Sequence, residues 1–268
     1  MLRTCALVAA GTLRIYLQRR VSRAAAALSY FLMLTIFPLL VCLYEMLGGL
    51  FPTAAAVEHF FDDLLPGDAV STIMDYLAYI SDNNSRSMFS IAVLSMATSS
   101  AAAFRILDYI MGEIRGQRRY VGPLSVLFSF GFSLIFLAAI YFAVVVMLSG
   151  NWFLEYIDAH LPLINISSNW RWARFVLLFL LLFVIVLGIY RLTAPKKPNI
   201  HLFSGAVLAS AALVMVSILF SYFIGMSVKY SLIYGSLASV MILLLWLYLC
   251  GNIVIGGNIV NVVLERLS

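Results

Sequence analysis

Three asparagines stand in the last apolar stretch of the chain, Asn252, Asn258 and Asn261, and Arg105 and Asp108 close an earlier one. Amides and ions of this kind are costly in hydrocarbon, so each must meet protein, water or a ligand. Asn258 and Asn261 fall on one helical face, whereas Asn252 points well away from Asn261. Two uses follow from that placement: hydrogen-bonding glue between helices, or the lining of a substrate path. Arg105 and Asp108 are three residues apart and can pair across one helical turn as an interfacial anchor. Left unpaired, the Arg105 guanidinium is a planar fork of donors that suits a phosphate better than a lysine's point charge.

A second polar group lies in "AAALSYFLMLTIFPLL", residues 24–39. Pro38 removes one helical hydrogen bond and crowds the carbonyl of Leu34, which must find another donor in lipid. Ser29, Tyr30, Thr35 and Tyr44 are the candidate donors. The bend is either a static packing kink or a hinge lining a cavity. Glu45, toward the outer end of this stretch, also needs a partner or water. Further on, Ser99, Ser100, Ala101 and Ala102 in "TSSAAAFRILD" allow close approach of neighbouring backbones. Gly205 and Ala209 in "SGAVLASAA" form the same kind of seam.

Catalytic and metal-binding patterns are not expected. His59 and His160 fall on the outer side of the topology derived below, and only His201 lies near the inner face. The inner acids, Asp108, Glu113 and Glu265, show no metal-ligand spacing, and outer acids such as Asp62, Asp63 and Asp68 read as a solvated face. Cys5, Cys42 and Cys250 have no CxxC spacing and read as packing residues. No nucleotide-binding loop is present, so a pumping activity would need an ion gradient, a partner or a downhill path.

The elements that must hold these groups are membrane helices. Of 268 residues, 63% are hydrophobic and 11% charged, with a mean hydropathy of +1.02. Soluble domains carry about 25% charged residues. Six continuous apolar stretches reach the roughly 20 residues that a spanning helix needs: 24–48, 88–111, 122–149, 172–192, 201–225 and 232–262. The expected fold is an all-α polytopic membrane protein with six transmembrane helices over 24–265. Residues 1–23 read as a basic interfacial helix, with Leu13, Tyr16 and Leu17 inward and Arg14, Arg19, Arg20 and Arg23 toward headgroups. No cleaved signal peptide is expected, because Arg14 cuts the first apolar run short.

Sorting Lys and Arg by loop leaves only Arg86, Arg171, Arg174 and Lys229 on one side, which predicts cytoplasmic N and C termini. Residues 52–85 form an outer amphipathic hairpin by their spacing. Val57, Phe60, Phe61, Leu64 and Leu65 share one face, and Val70, Ile73, Met74, Leu77 and Ile80 another.

The strings "AAALSYFLMLTIFPLL", "LLP" at 64–66, "TSSAAAFRILDYIM", "YRLTAP" at 190–195 and "YGSLASVMILLLWLYL" at 234–249, in this order, resemble the YihY/BrkB family of bacterial inner-membrane proteins. The resemblance covers about residues 20–265. It implies six helices in the bacterial inner membrane with cytoplasmic termini. Members have carried ribonuclease and serum-resistance labels, and some have been proposed to move lipid-like envelope precursors. Two departures stand out. Relatives often have Gly-Ala-Glu where this chain has "GGN" at 256–258, which weakens a proton-coupled scheme built on that carboxylate. Many also carry a polar tail, whereas this sequence stops at Ser268.

The leading functional expectation is a transporter or flippase for an anionic envelope lipid or other amphiphile. Its hypothetical path runs over Ser29, Tyr30, Thr35, Pro38, Ser99, Ser100, Arg105, Asp108, Asn252, Asn258 and Asn261. The alternative is an oligomeric channel or structural membrane protein, a homo-oligomer through small-residue seams. A membrane-bound hydrolase or ribonuclease ranks third. Membrane lipids are the expected partners. No cofactor, metal or nucleic acid is expected.

Overall fold

The computed structural model describes residues 2–47, 74–75, 78–79, 86–117, 127–131, 170–195, 202–225 and 237–267. Its long elements are helices: α1 (Leu2–Gln18), α2 (Val21–Leu47), α3 (Arg86–Arg115), α4 (Trp170–Thr193), α5 (Phe203–Gly225) and α6 (Leu237–Leu267). Among the described residues, α2, α3, α5 and α6 are long and apolar enough to cross a membrane. A fifth helix, α4, carries the shorter apolar stretch Phe179–Thr193. At 1.5 Å per residue, α6 is about 46 Å long and α2 about 40 Å, both beyond a hydrocarbon layer of about 30 Å. Of the expected third span, 122–149, only 127–131 is described, as helix. The outer hairpin, 52–85, lies outside the described residues except for helical pairs at 74–75 and 78–79.

Residues 1–23 do not form one interfacial helix. The first helix ends at Gln18, Arg20 turns into the left-handed region at φ 50°, and α2 begins at Val21. That turn distributes the arginines: Arg14 on α1, Arg19 and Arg20 in the break, Arg23 in α2. Of the three residues expected inward, Tyr16 packs, while Leu13 and Leu17 are exposed. Ile15 is buried in their place, and Gly11 approaches Val263 of α6. Gly116, at φ 72°, ends α3 with its N–H on the Glu113 carbonyl at 3.3 Å, the usual left-handed glycine stop.

The last helix is the hub. It packs on α1, α2, α3 and α5, while α4 packs on α5 and α2 runs along α3. Small residues set these distances. Gly251 faces Ala25 and Leu28, and Gly257 faces Gly205 and Ala209, so close backbone approach supplies the dispersion contacts that lipid cannot. A Cβ on Gly257 would strike the Tyr190 hydroxyl and sit 2.8 Å from both Ala209 Cβ and the Gly205 carbonyl. Ile91, Leu94, Val184, Leu208, Met215 and Leu219 are left exposed, as expected of a surface whose solvent is acyl chain.

Polar contacts reveal how the ends are arranged. Arg19, before α2, meets Glu113 near the end of α3, and Arg115 meets Glu265 near the end of α6. Tyr190, near the end of α4, reaches Val254, and Gly205, near the start of α5, reaches Asn261. The starts of α2 and α5 and the ends of α3, α4 and α6 therefore share one face.

Pro38 does not interrupt α2, which runs continuously to Leu47. The hydroxyls expected to serve the Leu34 carbonyl bond elsewhere: Ser29 donates to the Ala26 carbonyl and Thr35 to the Phe31 carbonyl, both at 2.8 Å. Helical rotamers put a Ser or Thr oxygen within reach of the carbonyl three or four residues back, which explains the difference. Tyr30 is exposed, edge-on to Phe31. Around Pro38, Val41 and Cys42 pack on Ala92 and Met96 of α3. Met33, Ile36 and Phe37 join Leu243 and Leu247 of α6. The proline stretch is thus packed between two helices.

Candidate functional site

Each α6 asparagine ties a different helix. Tyr16 donates to Asn252 Oδ1 at 2.6 Å, and Asn252 Nδ2 donates to the Tyr248 carbonyl at 2.8 Å. Burial, and then the neighbouring Tyr248, raise the Tyr16 phenol above its usual value, so it stays a donor at neutral pH. Asn261 is fully buried and acts as a cap supplied from another helix. Its Oδ1 accepts the Gly205 N–H at 2.6 Å and its Nδ2 donates to the Leu202 carbonyl at 3.2 Å. An N-cap side chain does the same for the early N–H groups of its own helix, and α5 opens on Leu202 and Phe203, which have no such side chain.

Asn258 takes part in a buried ionic node. Arg115 Nη2 donates to Asn258 Oδ1 at 3.0 Å, and Nη1 donates to both Glu265 oxygens at 3.1 Å. The Arg115 side chain is 4% exposed and that of Glu265 23%. Tyr190, fully buried beside them, donates to the Val254 carbonyl at 2.6 Å. The sequence reading missed Arg115, Glu265 and Tyr190 as site residues. Glu265 was visible as the next position, one turn on, of the face that carries Asn258 and Asn261. Arg115 read as a loop arginine because its partners lie about 150 residues away.

The other sequence candidates diverge. Ser99 is half-buried, and buried Ser100 donates to the Met96 carbonyl at 2.8 Å. Asp108 is buried on the packed side of α3, whereas Arg105 is exposed. Ion pairs at this face run from Arg19 to Glu113 and from Arg115 to Glu265. The reason is rotational: the groove-facing side of α3 carries Arg105, and the helix turns Asp108 toward the core.

Arg105 opens into a groove of about 570 Å³ between the α1–α2 turn with α2 on one side and α3 on the other. Arg19, Arg20, Arg23 and Arg105 line it with Glu113, and Ala24, Phe31, Ala102, Ile106 and Ile110 give it an apolar wall. The sequence reading offered Arg105 either as an interfacial anchor paired with Asp108 or as a phosphate ligand, and turned the other three arginines toward headgroups. It did not bring the four together. The left-handed Arg20 does so by turning the chain back onto α3. Such conformations cost about 1–3 kcal/mol and concentrate at functional sites. Chemically, guanidiniums above an apolar wall match an anionic head on a hydrocarbon stem. Among the described residues no cluster of three metal-ligating side chains occurs.

A family profile described as Virulence factor BrkB matches residues 12–268. The chain is 23% identical to the ribonuclease-like protein YfkH of Bacillus subtilis, over 90% of this chain and 89% of that relative. It is 29% identical to a UPF0761 membrane protein of Vibrio parahaemolyticus, over 89% of this chain and 76% of the relative. The corresponding Vibrio campbellii protein is also 29% identical, over 92% and 79%. No solved structure matches. With the apolar helices, the packed hub and nearly end-to-end coverage, the chain belongs to the BrkB/YihY (UPF0761) family of multi-pass membrane proteins.

Proposed function

We propose that this protein is a transporter of an anionic amphiphile in the bacterial cytoplasmic membrane, and that its substrate first docks in the arginine groove. One observation carries the reading. Four arginines line one groove between α2 and α3 whose other lining residues, apart from Glu113 and Tyr109, form an apolar wall. A soluble anion has no use for that wall, and a neutral lipid has no use for four positive charges. The positive-inside asymmetry supports a cytoplasmic position for the face that carries both described ends of the chain.

The channel or scaffold reading draws on small-residue seams. The seam of Gly205 and Ala209 is already occupied within the chain by Gly257, which leaves that stripe no free face for a second subunit. The ribonuclease wording belongs to YfkH. In this groove the one lining acid among the described residues, Glu113, is tied to Arg19, an arrangement that supports binding better than hydrolysis.

The test is translocation of a fluorescent anionic lipid in proteoliposomes, read by quenching of the outer leaflet. The intact protein moves it faster than empty vesicles, and an Arg23→Gln, Arg105→Gln variant falls back toward them. Equal rates in all three would remove the transport reading.

A further inference from the structure

Among the described residues Glu113 is the only acid lining a groove that holds four arginines, a formal excess of three positive charges. Its carboxylate sits 3.3 Å from Arg19 Nη1, and the two side chains are 35% and 45% exposed. Exposed pairs of this kind are weakly held and easily exchanged. Arg20, Arg23 and Arg105 have no side-chain acceptor among the described residues. Among the described residues, the groove therefore holds one paired guanidinium and three without a side-chain counterpart.

Along α3 the lining interleaves charged and apolar side chains, with apolar residues at its inner end. Glu113 is eight residues beyond Arg105, about 12 Å along the axis. Ala102, also in the lining, lies three residues on the other side of Arg105. On α3, Ile106 and Ile110 lie between Arg105 and the Glu113 that pairs with Arg19, while Ala102 of α3 and Phe31 of α2 carry the apolar lining beyond Arg105 and Arg23. A groove of about 570 Å³ holds a headgroup and the first part of a chain; it does not enclose a whole diacyl lipid. Choline or ethanolamine beyond a phosphate would place a cation among the arginines. A terminal phosphate monoester, with a charge of about −1.5 to −2 at neutral pH, places none there. It also presents more oxygens to guanidinium forks than a diester does.

We infer that the groove takes a lipid ending in a phosphate monoester, and that the Glu113 carboxylate is a resident stand-in that this phosphate displaces from Arg19. The inference rests on the groove as the docking site of the proposed transport and names its ligand class. Removing Glu113 then strengthens binding, the opposite of what loss of a structural ion pair does.

The experiment measures equilibrium binding to the full chain in phosphatidylcholine nanodiscs, with fluorescent phosphatidic acid as probe. Phosphatidylglycerol, phosphatidylcholine and inorganic phosphate serve as competitors. Glu113→Gln tightens binding about threefold, the factor that matches the ordinary worth of an exposed pair. Glu113→Asp, whose carboxylate is withdrawn by one methylene, gives a smaller gain. Arg23→Gln, Arg105→Gln weakens binding at least tenfold, and phosphatidylcholine competes poorly. Unchanged or weaker binding in both Glu113 variants overturns the inference, because misfolding can produce a loss in one variant but cannot mimic a graded gain. Competition by inorganic phosphate as effective as that by the lipid overturns the lipid assignment. Binding with this pattern but without lipid movement would sink the transport reading alone.

Discussion

Replacing Glu265 with glutamine probes the ionic node that bolts α3 to α6. The substitution keeps the shape and removes the charge that Arg115 Nη1 meets at 3.1 Å on both oxygens. Arg115, its side chain 4% exposed, keeps neutral amide acceptors at Asn258 and the new glutamine but loses the counter-charge it has among the described residues. Breaking a buried pair from one side costs about 3–5 kcal/mol. Glu265 is partly exposed, so the expected loss is near the lower end, about 3 kcal/mol. Arg115→Gln should cost less, about 2 kcal/mol, because the stranded carboxylate can reach water. The double variant removes both charges and should cost about 3 kcal/mol, not the sum of about 5, which gives a coupling of about 2 kcal/mol. Equilibrium unfolding of the four proteins in mixed micelles reads these values. Additive losses would refute the node as a coupled unit, and a near-silent Glu265→Gln would show that the guanidinium is not buried.

Three further outcomes follow from the same packing. Gly257→Ala drives a methyl group into the Tyr190 hydroxyl and against Ala209, so thermal stability in detergent should fall by an amount typical of overpacking, about 1–3 kcal/mol or more. Asn261→Leu strands the buried Gly205 N–H and should cost about 1–3 kcal/mol, with hydrogen exchange rising first in the opening turn of α5. Arg20→Gly relieves the left-handed backbone at φ 50°. Melting should show stability unchanged or slightly raised while binding of anionic lipid weakens, a split that an arginine of purely structural value would not give.

Much of the fold follows from composition and period. Continuous apolar runs dictated spans, and the shared face of Asn258 and Asn261 pointed to a buried seam because an amide has no place in lipid. The small residues around Gly205 marked the closest helix approach for the same reason. What escaped depended on contacts distant in sequence or on a break without a signal. Arg115 ends its helix beside Gly116 and looks solvated until Glu265 closes on it. Residues 13–23 contain no glycine or proline to announce a turn, so the left-handed Arg20 could not be read, and the groove depends on that turn. Ser29 and Thr35 were among the candidate donors for the Leu34 carbonyl, but they bond within their own turns.

Photocrosslinking tests the central claim most directly. A phosphatidic acid with a photoactivatable group early in its chain is equilibrated with the protein in native-like bilayers, and adducts are mapped by mass spectrometry. The account predicts adducts concentrated on Phe31, Ala102 and Ile106 and lost in Arg23→Gln, Arg105→Gln. Adducts spread evenly over lipid-facing residues such as Leu94, Val184 and Leu208, and unchanged in the variant, would contradict it.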